Sequence, residues 1–262
     1  MKKKENFFRI IGIIGGCVLL FLMASSIDKR AIGYRVEEID VEIENAYENF
    51  FIDESDVLAL VMQNEGDSIL GDRFGRVSLK EVENRIESHS FVKDAEVYKD
   101  LKGHLIVKAR QNKPIARIIG NNGVNAYIGE DGDLLPVSPK YTARVPVITG
   151  TSTKQLLELD NVMDDEYAAG IYEMVQFINK ESFWTMQIGE IVLEGNRHVV
   201  MYPQVGDQRL EFGMPTDIEK KFRNLDIFFK QIMPTKGWST YDRVNVAFKD
   251  QIICEKRRHA TR

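Results

Sequence analysis

Apolar positions along this chain form one long unbroken run and then many short periodic groups. The run extends from Ile10 to Ile27, 18 residues without a charge. As a helix it would reach roughly 27 Å, against a bilayer hydrocarbon core of about 30 Å, so the pattern predicts a transmembrane helix. After it, Val36, Ile39, Val41 and Ile43 alternate in part and predict a strand. Val57, Leu58, Val61 and Met62 follow at helical spacing, behind Asp53 and Ser55, either of which can cap the helix start. Ser78, with Glu81 three places on, predicts a capping box ahead of Leu79, Val82 and Ile86, the apolar face of a second helix. Phe91, Val92, Ala95 and Val97 predict a strand, Leu101 to His104 a turn, and Leu105, Val107 and Ala109 the returning strand. Pro114, which cannot donate to a central ladder, closes this strand-helix-helix-strand-strand unit.

Residues 115–262 read as a larger β-rich unit carrying helices. Tyr127-Ile128, the turn Gly129-Glu130-Asp131-Gly132 and Leu134-Leu135-Pro136 predict a hairpin, and Val145 to Ile148 a short strand. Ile171, Met174, Val175 and Ile178 share one face of a helix over 166–180. Segments 188–194 and 197–202 predict a hairpin across Gly195-Asn196, and 210–212 a further strand. The clearest helix spans 215–233, with Ile218, Phe222, Leu225, Phe229 and Ile232 as its buried stripe. Arg243–Cys254 is expected to be one last strand, in which Val244, Val246 and Phe248 alternate with Asn245 and Ala247. The fold class is thus α+β: one N-terminal transmembrane helix, a βααββ domain, then a mixed β-sheet domain with packed helices. The expected boundaries are a tail at 1–9, the membrane helix at 10–27, domains at 34–113 and 114–254, and a basic tail at 255–262.

Charge sharpens this picture. Of the chain's 35 basic and 40 acidic residues, Lys2, Lys3, Lys4, Arg9 and Glu5 fall in the first nine, leaving 31 against 39, a formal net of −8. So acidic a body speaks against general nucleic-acid binding, which needs a broad basic face. The basic start places the N-terminus in the cytoplasm and everything after Ile27 across the membrane. A cleaved signal peptide (Ala24-Ser25-Ser26), a lipoprotein signal (Cys17) and a buried core helix are competing readings of the run. The run is longer than a usual signal core and continues apolar past Cys17, which favours a retained anchor. Gly12 and Gly16 have the spacing at which membrane helices approach closely. Cys17 and Cys254 lie on opposite sides of this division and do not pair within one chain.

Candidate chemistry is sparse. His89, His104, His198 and His259 sit in no metal-ligand or base-nucleophile pattern. No phosphate loop or dinucleotide fingerprint occurs. Asp160, Asp164, Asp165 and Glu166 lack the spacing of a calcium loop and read as acids favoured at a helix start. Glu130 and Asp131 read as turn residues, and Cys254 as a small residue in a strand. No catalytic, cofactor-binding or metal-binding residue is assigned, and the expectation is a protein that binds partners.

The arrangement resembles the FtsQ/DivIB family of bacterial cell-division proteins over nearly the whole chain. The resemblance is carried by Ser90-Phe91-Val92-Lys93-Asp94-Ala95-Glu96-Val97, by Leu105 to Arg110 with Lys113-Pro114-Ile115-Ala116, and by the segments 127–136 and 145–150. Glu219 to Leu225 and Val244 to Phe248 complete it, although Asn245 and Ala247 stand where the family often has an acid and an arginine. The resemblance implies a POTRA (polypeptide-transport-associated) domain followed by a β domain, in a non-enzymatic scaffold of the cell inner membrane with its C-terminal region periplasmic. Such a scaffold links early and late division proteins and regulates septal wall synthesis. The implied partners are small single-pass coiled-coil division proteins (FtsB/FtsL type) and other membrane proteins of the division complex. They would dock at the C-terminal edge, for which Tyr241, Val244, Val246, Phe248 and Ile252 are the candidate contacts. An outer-membrane assembly or transport factor with a POTRA unit, and an anchored envelope enzyme, are the alternatives. The first lacks its tandem units or barrel here, the second its convergent pocket groups.

Overall fold

A computed structural model describes residues 35–44, 49–62, 69–71, 77–100 and 102–257. The expected membrane helix, its Gly12/Gly16 pair and the end of the basic tail lie outside these residues. Among the described residues, no helix is long and apolar enough to cross a membrane. The chain divides into two units, one ending at Gln111 and one starting at Asn112.

In the first unit, β1 (Glu38–Glu44), α1 (Glu54–Val61), α2 (Leu79–Glu87), β2 (Val92–Lys99) and β3 (His104–Gln111) follow in the expected order. The sheet order is β1-β3-β2, with β1 parallel and β2 antiparallel to β3. Of the two possible caps of α1, Asp53 is the one used. Its Oδ1 accepts from Asp56 N (3.0 Å), and Asp56 Oδ2 accepts from Asp53 N (2.9 Å). At α2 only the Ser78 half of the expected box is made, its Oγ accepting from Glu81 N. Both helices cover one sheet face, where Val57, Val61, Val82, Ile86, Leu105, Val107 and Ala109 are buried. Phe51 stacks on Phe91 at 4.3 Å. Buried Gln111 bonds Asn49 O and Ile52 N through its amide, which ties the segment before α1 to the central strand.

The second unit holds a nine-stranded sheet among its described residues. It contains β4 (Pro114–Ile119), β5 (Asn125–Gly129), β6 (Leu134–Pro136), β7 (Val147–Thr149), β8 (Ile188–Leu193), β9 (Val199–Pro203), β10 (Arg209–Gly213), β11 (Tyr241–Asn245) and β12 (Ile253–Lys256). They lie in the order β12-β11-β10-β9-β8-β7-β4-β5-β6. Pro114 is tolerated because it is the first residue of β4. Between β7 and β8 come α3 (Thr153–Leu157), α4 (Glu166–Lys180) and α5 (Ser182–Gln187). Asp165 caps α4, its Oδ1 accepting from Tyr167 N and Ala168 N, so part of the acidic cluster has the helix-start role expected of it.

The helix expected over 215–233 starts later and is not uniform. Asp217 sits at φ 53, α6 runs from Ile218 to Ile227, a π-helical turn covers Phe228–Ile232, and α7 (Met233–Lys236) follows. The wide turn adds a residue and rotates the buried face. Phe222, Leu225 and Phe229 are buried as expected; from the turn on, Phe228 and Met233 are buried and Ile232 only partly, while Ile218, the first residue of α6, is also only partly covered. One core joins α4, α5 and α6 to the sheet through Phe177, Trp184, Phe212 and Phe222.

Candidate functional site

The segment 243–254, expected to be one strand, is two. β11 stops at Asn245, whose Oδ1 accepts from Ala247 N (2.9 Å), and the chain reverses through Asp250 at φ 56. A short polar side chain such as aspartate enters that left-handed region more readily than most. β12 returns antiparallel, with Cys254 opposite Val244 and Ile253 opposite Asn245. The sheet edge is therefore β12, and it runs to Lys256, two residues into the expected tail. Arg257 beyond it is held by Asp207.

This geometry separates the five expected contact residues. Val244 and Val246 are fully buried (0% exposed) in the unit's own core, so of the two faces a strand offers their side chains take the inner one. Residues alternate across a strand, and theirs is the face the helices cover. Tyr241 and Ile252 pack half-buried against the same core. Phe248 stands free at 55% exposure, and Ile253, not expected as a contact, is 40% exposed.

Backbone bonds fix which edge amides are available. Val246 N donates to Glu211 O, and Arg257 N to Thr240 O. By alternation Ile253 and Glu255 turn their amides to β11, whereas Cys254 and Lys256 present theirs outward. A sheet edge of this kind is a template for an added strand. The Cys254 thiol faces inward, and burial pushes its pKa up.

On the solvent face of the same strands, charges alternate in a row. Arg209 Nη2 donates to both carboxylate oxygens of Glu194 (2.8 Å each) and its Nε to Glu211 (3.2 Å). Arg243 binds Glu211 through Nε (2.6 Å) and reaches Glu255 on the edge strand through Nη1 (2.7 Å). Asn245 Nδ2 also donates to Glu211 (2.7 Å). Burial alone would push the Glu211 carboxyl up, but Arg243 and Arg209 more than offset it and hold it below the usual carboxylate range. The row braces β12 from its outer face.

Glu211→Gln is expected to lower stability by about 1–2 kcal/mol: Arg209 and Arg243, each a third or more exposed, lose the carboxylate they share but keep Glu194 and Glu255. A depressed folded-state pKa contributes stability above the unfolded value and loses it as pH falls through the folded one. The native protein should therefore lose this increment below about pH 4, while the variant should not. Urea titrations at pH 3 and pH 7 read the difference; equal differences at both would refute it.

Beside the row opens a cleft of about 990 Å³. Arg209, Glu211 and Arg243 form one wall, the start of α6 the other, and Phe248 and Lys249 stand at the β11–β12 turn. Lys221 is buried there, its Nζ donating to Met214 O (2.7 Å) and lying 4.9 Å from the Phe212 ring centre. Burial lowers its pKa. Gly213 at φ 75 lies so close to Ala247 that an added Cβ would meet the Ala247 Cβ at 2.7 Å, so a small residue pair closes the cleft floor. Lys220 is paired with Asp217, whereas Arg223 and Lys249 have no such partner among the described residues, which leaves the cleft open to an acidic group.

His198 lines the cleft without a catalytic neighbour pattern, and among the described residues no three His, Cys, Asp or Glu are placed to hold a metal ion. Arg209, Glu211, Arg243 and Lys221 were not legible as site residues. For the first three the sequence signal is polar side chains at every second position, in Arg209-Leu210-Glu211 and in Arg243-Val244-Asn245.

Two family models match the chain. The model described as "FtsQ/DivIB, C-terminal related" covers residues 113–255, and one described as "POTRA-like domain" covers residues 35–110. A search of curated proteins finds no match.

Proposed function

The chain belongs to the FtsQ/DivIB family, and from that membership we propose that it is a non-enzymatic scaffold of the bacterial division complex, linking early and late division proteins and regulating septal wall synthesis. In this reading the run at 10–27 holds it in the inner membrane, with both folded units on the periplasmic side. Its partners are small single-pass coiled-coil proteins, which add a strand to β12 and place an acidic group in the cleft. The reading rests above all on one observation: the outward amides of β12 lie beside exposed Phe248 and a cleft with uncommitted cations.

Phe248→Ala should weaken partner capture about tenfold, because burying a phenyl ring against a partner contributes about 1.5–3 kcal/mol. The measurement is co-purification of small membrane partners with the tagged full chain, alongside a melting curve. Undiminished capture by a normally folded variant would remove Phe248 from the site. Midcell accumulation of the tagged chain tests the division role itself, and uniform envelope staining would count against it.

A further inference from the structure

The three-stranded sheet of the first unit has two edges, and they are treated differently. At β2 the two central outward amides are taken: Val97 N donates to Glu83 Oε1 (3.0 Å) and Ala95 N to Glu87 Oε1 (3.4 Å), both carboxylates coming from α2. The Val97 bond is also the main reason the Glu83 carboxyl sits below its ordinary pKa. Helix side chains thus close that edge to another strand. At β1, seven residues long, no other strand lies outside Glu38–Glu44 among the described residues.

The side chains of β1 show what would fit there. On the helix side, Ile39, Val41 and Ile43 are only half-buried, whereas Leu105, Val107 and Ala109 of the neighbouring strand are fully buried. One more strand would complete their cover. On the solvent side stand Glu38, Asp40, Glu42 and Glu44, beside β3's His104, Lys108 and Arg110. Glu42 pairs with Lys108 (3.3 Å), and Glu38 and Asp40 share His104 at 3.7 and 3.6 Å. Asp94 on β2 takes Arg110 at 3.1 Å, and Asp100 also faces His104. The surface keeps an acidic excess, and the carboxylates of Glu38, Asp40 and Glu42 stay at least half exposed. Charged edges deter unwanted pairing. Because all four charges here are negative, a second copy of β1 would set carboxylate against carboxylate.

We propose that the outer edge of β1 docks an extended basic segment of another protein, one with Lys or Arg at every second position and small apolar residues between them. Main-chain bonds would supply the pairing, the basic residues would meet Glu38, Asp40, Glu42 and Glu44, and the apolar ones would cover Ile39, Val41 and Ile43.

The test uses the full chain and two synthetic peptides of equal composition. One alternates Lys-Val-Lys-Val-Lys-Val-Lys; the other has its four lysines consecutive. Titration calorimetry should show tighter binding of the alternating peptide, and hydrogen exchange should slow at Glu38–Glu44. The double variant Asp40→Lys, Glu42→Lys should lose about tenfold or more in affinity with its melting temperature little changed. Cys254→Pro, which alters the edge proposed for division partners, should bind this peptide as before. Equal binding of the two peptides, protection elsewhere than β1, or loss of binding in Cys254→Pro would each overturn the proposal without touching the function assigned to β12.

Discussion

Replacing Phe222 by alanine is expected to cost the C-terminal unit about 3–5 kcal/mol, the range for removing a large aromatic side chain from a packed core. Phe222 lies on α6, 1% exposed, with Phe177 stacked on it at 4.5 Å and Trp184 edge-on at 4.9 Å. Phe212 of β10 lies 5.3 Å away. The ring therefore joins α4, α5, α6 and the sheet at one point, and interiors as dense as organic crystals do not close readily over such a hole. Trp184 serves as the reporter, because its fluorescence samples the cavity directly. Urea unfolding followed at that signal should move to a lower midpoint with little change in slope. Phe222→Leu, which keeps most of the volume, should cost far less. Equal losses for the two variants would show that ring volume does not matter there. The residues on either side of Phe222, Lys221 and Arg223, line the cleft, so the alanine variant should also weaken partner capture.

Cys254→Pro is expected to abolish most strand-dependent partner capture while the unit stays folded. Proline lacks an amide hydrogen, and on an edge strand it is tolerated where that hydrogen would point to solvent. Cys254 meets this condition, because Ile253 and Glu255 make the bonds to β11. One lost donor left facing an unpaired acceptor costs about 1–3 kcal/mol, or about tenfold to a hundredfold in affinity, and the ring also obstructs the incoming strand. Glu255→Pro is the contrasting variant. It should break β12 away from β11 and lower stability, because its amide is turned inward and its carboxylate holds Arg243. Full capture by a folded Cys254→Pro protein would mean that partners do not add a strand at this edge.

Much of the fold is legible in the sequence. The capped helices of the first unit, its two-stranded return and the long α4 all follow from local periodicity and cap chemistry, which act over a few residues. The buried stripe of α6 was legible only in part, because a π-helical turn rotates the face after Ile227 and no short-range signal announces it. The edge was misplaced for a similar reason. Val244, Val246 and Phe248 keep a strand's alternation through the point where Asn245 and Asp250 turn the chain back.

The sequence alone determined the order of elements in the first unit, the apolar run at the chain's start, the uneven charge and the motifs that place the chain in its family, since all of these depend on neighbours along the chain. Only the tertiary structure decided that Val244 and Val246 face inward, that β12 and not β11 is the edge, and that Glu211 is clasped between Arg209 and Arg243. Those outcomes depend on which strands lie side by side. Strand pairing joins residues as distant as Glu211 and Asn245, so periodicity within a single segment cannot specify it.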